Sequence, residues 1–193
     1  MVQLIDPIPV AVIGSSKSDP KGVAYASAFD VGFGIAKRGY AVLCGGRRGV
    51  MTAAAEGCRR AGGLCIGVLP HLDDKPNKYC SVVIATDLGS ADDPISPNVS
   101  RNRIIVRAAL CVFAIGGETG TANELRFAWQ GGKYVFGLAG APAPPPEGHT
   151  REMTWDDPSR RFLECGSVAD ALAAFDAFVR ATPTFSTGVL PPR

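Results

Sequence analysis

The stretch Cys111-Val-Phe-Ala-Ile-Gly-Gly-Glu-Thr-Gly-Thr-Ala-Asn-Glu124 decides how this chain is read. An apolar run that fits a buried strand (110–115) enters a glycine-rich turn and then a helix over 121–130 that carries Thr121 and Glu124 in its first turns. Such a junction leaves backbone N–H groups unpaired at a helix N-terminus, where they suit a phosphate. The glycines let a ligand approach the backbone without a Cβ in the way. Glu124 is the anomaly, because an acid beside a phosphate cradle is better aimed at a sugar or a water. The combination points to a nucleotide site with chemistry at the ribose.

The same design recurs upstream. Val10-Ala-Val-Ile13 is a buried-strand pattern that runs into Gly14-Ser15-Ser16, with an amphipathic helix over 22–38. A second strand, Ala41–Cys44, leads into Gly45-Gly46-Arg47-Arg48-Gly49 and an alanine-rich helix, Val50–Ala61. Further strands are expected at Leu64–Leu69, Val82–Ala85, Tyr134–Leu138 and Arg161–Cys165, with helices at Asn98–Ala109 and Val168–Val179. This alternation specifies an α/β fold: a single Rossmann-like, doubly wound, mostly parallel sheet flanked by helices. The expected domain spans residues 1–181, with a proline-rich loop at 139–160 and a tail at 182–193. Three glycine loops at strand C-termini can converge on one ligand, which such sheets bind at the carboxyl ends of their strands.

Composition narrows the alternatives. The chain has 193 residues, 46% of them hydrophobic, and a net charge of +2, so no broad nucleic-acid surface is expected. No apolar run reaches the roughly 18 residues of a membrane span, and Met-Val-Gln-Leu-Ile-Asp-Pro lacks the pattern of a signal peptide. Six cysteines without a Cys-x-x-Cys pair read as buried thiols in a reducing cytoplasm. With only His71 and His149, a histidine metal site or triad is not expected. Strand one is followed by no Gly-x-Gly-x-x-Gly and no Gly-Lys-Ser/Thr occurs, which disfavours NAD and a Walker-type triphosphatase. None of the six lysines sits in a recognisable pyridoxal-phosphate setting.

Among the arginines, helical register puts Arg103 and Arg107 on one face and Arg101 nearer the strand ends. Arg47 and Arg48 are open to three readings: a phosphate, an acid across a subunit boundary, or plain solvation.

Residues 9–138 resemble the LOG-like family, the cytokinin-activating phosphoribohydrolases and a group that also carries the name lysine decarboxylase. They resemble its molybdenum-cofactor carrier branch as well. The resemblance rests on Gly14-Ser15-Ser16, on Gly45-Gly46-Arg47-Arg48-Gly49-Val50-Met51, and on Gly116-Gly117 with Gly120-Thr121-Ala122-Asn123-Glu124. It implies Arg101 and Glu124 as the catalytic pair. It also implies a ligand site built from Gly14, Ser15, Ser16, Gly45, Gly46, Gly49, Met51, Asn102, Gly116, Gly117, Glu118, Thr119, Gly120 and Thr121. There are departures: Ile115 replaces the signature proline, Glu118-Thr119 lengthens the loop by one residue, and Ser100-Arg101-Asn102 replaces Glu-Arg-Lys. The Arg-Asn form, with Ile66-Gly-Val-Leu-Pro70 and Leu88-Gly-Ser-Ala91, is closer to the carrier branch.

The leading expectation is hydrolysis of the N-glycosidic bond of a nucleoside 5′-monophosphate, AMP or N6-substituted AMP, to free base and ribose 5-phosphate. The alternative is a carrier or sensor with molybdenum cofactor or another phosphorylated pterin as cargo. Neither needs a resident cofactor or metal. The resemblance also implies a homodimer or higher homo-oligomer, with a small molecule as partner and neither nucleic acid nor membrane.

Overall fold

The computed structural model describes residues 7–87, 97–117, 119–138, 140–141 and 162–182. Glu118, the Leu88-Gly-Ser-Ala91 motif, nearly all of the proline-rich loop and the tail beyond 182 lie outside the described residues.

The elements run β1 (Pro9–Gly14), α1 (Val23–Lys37), β2 (Ala41–Cys44), α2 (Val50–Arg60), β3 (Cys65–Leu69), β4 (Val82–Ala85), α3 (Pro97–Ala108), β5 (Val112–Ile115), α4 (Thr119–Gln130), β6 (Val135–Leu138), β7 (Phe162–Glu164) and α5 (Val168–Ala181). The strands form one sheet in the order β4-β3-β2-β1-β5-β6-β7, and every neighbouring pair is parallel. The α/β fold expected from the alternation is therefore what the chain adopts, with β7 and α5 both in place.

The central strands read as continuous apolar runs because both of their faces are covered. Val10, Val12, Val42, Cys44, Phe113, Ile115 and Phe136 pack toward α1, α2 and α5. Ala11, Ile13, Leu43, Val112, Ala114 and Val135 point the other way, into a second layer with Ile105 and Val106 of α3 and Leu125 and Ala128 of α4. The period-two alternation of side chains thus divides one run of hydrophobes between two cores. Ser167 caps α5 by accepting the Asp170 N–H at 3.1 Å. Phe175 on that helix then meets the rings of Phe113 and Tyr40 with centroids 5.7 and 5.0 Å apart. Among the described residues no helix is long and apolar enough to cross a membrane.

The order β2-β1-β5 is what positions the site. From β1 the chain winds outward through β2, β3 and β4, then returns through α3 to place β5 on the other side of β1. The loops after β1 and β5 consequently diverge to opposite faces and leave a crevice between them.

Candidate functional site at the β1–β5 switch point

An open cleft of about 540 Å³ occupies that crevice, lined by Gly14, Ser15, Ser16 and Lys17 after β1, Met51 of α2, Arg101 and Asn102 of α3, and Gly120, Thr121 and Glu124 of α4. The structure therefore brings together the first and third glycine loops and the Arg101/Glu124 pair, which sequence reasoning had placed more than twenty residues apart.

Each loop is tied to its neighbours. The Ser15 hydroxyl accepts the Lys17 N–H at 3.1 Å, while the Ser15 carbonyl accepts the first amide of α2, Val50 N–H, at 3.0 Å. The first and second glycine loops are thereby joined. Gly49 makes this possible: its φ of +64° is left-handed, and a Cβ there would come within 2.9 Å of Ser16 Cα. On the opposite side, Gly117 has a φ of +126° and a Cβ on it would lie 2.7 Å from Thr121 Cγ2. Gly116 N–H still donates to the Leu138 carbonyl at 3.0 Å, so the turn departs directly from the sheet. Gly46, Gly49, Gly116 and Gly117 thus shape the wall from behind, and neither they nor Gly45 and Thr119 line the cleft itself.

The chemistry concentrates in four buried polar residues: Arg101, Asn102, Thr121 and Glu124. Arg101 is 7% exposed, and its Nε and Nη1 have no hydrogen-bond partner among the described residues. Burial pulls its guanidinium below the ordinary value and the charge of Glu124 opposes that pull. Arginine stays charged even so. Glu124 is equally enclosed; burial raises its carboxyl to about 7, against the lowering effect of Arg101. Near neutral pH this acid is therefore close to half protonated.

Asn102 donates through Nδ2 to Asn123 Oδ1 at 3.2 Å, which links α3 to α4, and leaves its own Oδ1 unsatisfied. Gly45 fits this scheme as the residue that makes room for Arg101: a Cβ there would overlap Nη1 and reach within 2.6 Å of Met51 Sδ. A buried cation with unused donors, beside a buried acid that can hold or release a proton, can bind an anionic oxygen and exchange a proton with whatever sits between them.

Lys17 is the cleft residue that sequence reasoning missed. It follows Gly14-Ser15-Ser16 directly, so its position in a loop already singled out was the available signal. Arg47, by contrast, is drawn out of the site: its Nη2 pairs with both carboxylate oxygens of Asp74 at 2.7 Å. That partner is an acid of the same chain, which none of the three readings open for this arginine had named. Arg48, Arg103 and Arg107 are exposed.

Comparison with known proteins places the fold. An uncharacterised protein of Archaeoglobus fulgidus is 36% identical over 129 residues, covering 67% of this chain and 78% of that protein. The molybdenum cofactor binding protein of the phototrophic bacterium Rippkaea orientalis superposes with a TM-score of 0.72 at 25% identity, over 91% of this chain and 99% of that one. The molybdenum cofactor carrier protein of Chlamydomonas reinhardtii superposes with a TM-score of 0.70 at 28% identity, over the same shares of the two chains. The model of the SLOG cluster4 family matches residues 7–162, and the chain belongs to that family, within the LOG-like group.

Proposed function

We propose that this protein binds a phosphorylated, nucleotide-like small molecule in the β1–β5 cleft and that its cargo is molybdenum cofactor, a phosphorylated pterin. The observation that carries the reading is Arg101: a guanidinium 7% exposed with Nε and Nη1 unpartnered among the described residues. Leaving charged donors unsatisfied in a protein interior is costly, so their retention calls for an anionic ligand that completes them. Phosphate oxygens would accept from Arg101, from the amides around Gly120 and from the Thr121 hydroxyl, with Lys17 supplying further positive charge. The two carrier-type structural neighbours support the pterin as that ligand. The homodimer implied by the family resemblance belongs to the same proposal, and light scattering tests it.

Glu124 favours a second reading, hydrolysis of a nucleoside 5′-monophosphate. A carboxyl held up to about 7 suits general acid–base work near neutral pH. In its ionised form it would orient water or stabilise oxocarbenium charge at the ribose, as carboxylates do in glycoside hydrolysis. Arg101, always charged, would hold the phosphate and favour that ionised form.

One experiment separates the two. Purified protein is incubated with molybdenum cofactor and, in parallel, with AMP and N6-substituted AMP; bound cofactor is measured after gel filtration and free base by chromatography. Stoichiometric cofactor retention without base release supports the carrier. Base release that disappears in Glu124→Gln supports the hydrolase and displaces the carrier reading. Binding of neither ligand class, with the fold intact, rejects the proposal.

A further inference from the structure

Cys44, Cys65 and Cys80 lie far apart in the sequence, yet the fold brings their side chains to one place. Sheet register explains the meeting. Cys44 stands opposite Gly67 on β3, and Cys65 lies two residues before Gly67, so both sulfurs point to the same face. Gly67 has no side chain, and the loop before β4 fills that vacancy with Cys80: a Cβ on Gly67 would come within 2.6 Å of Cys80 Sγ. Cys44 and Cys65 are fully buried whereas Cys80 is only partly buried, the one residue of the three with any exposure.

The three sulfurs are not equivalent. Proximity to Cys44 and Cys65, against the opposing effect of burial and with Asn77 assisting, holds the Cys80 thiol well below the ordinary range. Contact with Cys44 and Cys80, together with burial, pushes the Cys65 thiol up. For Cys44 the contact with Cys65 is lowering, but contact with Cys80 and burial outweigh it. Among the described residues no group of three or more His, Cys, Asp and Glu is arranged to hold a metal ion.

We propose that Cys80 is a peroxide-reactive cysteine and that the buried thiols Cys44 and Cys65 resolve it to an intramolecular disulfide. A partly buried cysteine beside two thiols that can resolve it is the arrangement that sulfenic-acid chemistry requires. In the first step the Cys80 thiolate attacks one oxygen of a hydroperoxide. The O–O bond breaks, a Cys80 sulfenic acid forms, and the other oxygen leaves as water (or an alcohol) after taking up a proton. In the second step the sulfur of Cys44 or Cys65 displaces that hydroxyl group as water and closes the S–S bond. One hydroperoxide is thus reduced by two electrons, which the two thiols supply.

The cluster also touches the cleft. Cys44 Sγ accepts the Gly46 N–H at 3.4 Å and lies 3.8 Å from the carbonyl oxygen of Met51, a cleft residue. Asn77, three residues before Cys80, donates its N–H to the Gly46 carbonyl at 2.8 Å and its side-chain amide to the Arg47 carbonyl at 3.1 Å. A bond between Cys80 and Cys44 would fasten this loop covalently beneath the second glycine loop.

The test treats the reduced full-length protein with hydrogen peroxide near stoichiometry, alkylates free thiols at timed intervals and maps the peptides by mass spectrometry. A disulfide from Cys80 to Cys44 or Cys65 is expected, with Cys80 oxidised at least about tenfold faster than the buried Cys165. In the Cys44→Ala/Cys65→Ala double variant, dimedone should trap Cys80 as the sulfenic acid. The wild-type map decides on its own if that variant does not fold. Cys80 remaining reduced, reacting no faster than Cys165, or going on to sulfinic acid without any disulfide would overturn the proposal.

Discussion

Two arginine–acid pairs lie within the reach of one loop of this molecule and behave oppositely. Arg47 and Asp74 meet in a bidentate contact at 2.7 Å, with side chains 35% and 22% exposed. Arg101 and Glu124 sit in the cleft at 7% exposure each, and Arg101 keeps two donors unused among the described residues. The first pair meets near the surface, where solvent can complete what the chain does not supply. The second has given up hydration without completing its hydrogen bonds, an arrangement that destabilises the empty protein and is relieved by a ligand. The proposed binding site rests on the pair left unsatisfied.

Removing Arg101 should produce the largest effect. Arg101→Met takes away a buried, unpaired charge and leaves apolar volume in its place. Affinity for a phosphorylated ligand is expected to fall by about a hundredfold or more, the usual loss when one partner of a buried charged contact is deleted. Thermal unfolding of the empty protein, in contrast, should occur at an unchanged or higher temperature. A drop in both affinity and stability would mean that Arg101 holds the fold together, and the contrast between the pairs would collapse.

Glu124 gives the next largest effect, through pH. Its carboxyl titrates at about 7 in the folded protein against an ordinary value of 4.5, so between those limits the native state holds a proton that the unfolded chain has released. Stability of the empty protein must therefore fall as the pH rises through this window, by on the order of 3 kcal/mol. Glu124→Gln should flatten that decline and raise stability at pH 8. Urea titrations of both proteins at pH 5 and pH 8 make the check, and parallel pH profiles would show that Glu124 is not the group responsible.

A smaller effect is expected behind the wall. Gly45→Ala introduces a Cβ where Arg101 Nη1 now lies and within 2.6 Å of Met51 Sδ. Both obstacles are ends of flexible side chains, so the fold should lose less than about 1 kcal/mol while displacement of the guanidinium weakens ligand binding by about tenfold. Isothermal titration beside a melting curve separates the two quantities; binding equal to wild type would leave Gly45 with no part in positioning Arg101.

How much of this was legible beforehand depended on whether the signal was local. The glycine-bearing junctions after β1, β2 and β5 could be read directly, because a strand, a turn and a helix start are consecutive in the chain. Sequence expectation and structure differ at element edges: among them, β3 begins at Cys65 rather than Leu64, β5 at Val112 rather than Leu110, and α4 at Thr119 rather than Thr121. Arg101 and Glu124 could be nominated because each sits in a motif. Their juxtaposition follows from the crossover that sets β5 beside β1, which helical and strand periodicity do not encode. The Asp74 partner of Arg47 was hidden in the irregular segment 71–81, where no periodic pattern fixes direction. The thiol cluster was hidden too, since it depends on β2–β3 register and on the space that Gly67 leaves. Lys17 had only its neighbours to recommend it.

The smallest effect sharpens the comparison from its other side. Arg47 holds the Asp74 carboxyl below the ordinary aspartate value through its hydrogen bonds, assisted by its charge. A lowered carboxylate stabilises the fold above pH 3.8 and loses that contribution as the pH falls below it. Both partners are substantially solvated, so Asp74→Ala should cost only about 0.5–1 kcal/mol at pH 7, and less in high salt. Ligand affinity should change by less than about threefold, because Arg47 does not line the cleft and the Asn77 side chain still anchors its backbone. If Asp74→Ala instead tightened binding of a phosphorylated ligand severalfold, the freed Arg47 would have turned into the site, and the closed pair would have to be regarded as a competitor for the ligand rather than a surface brace.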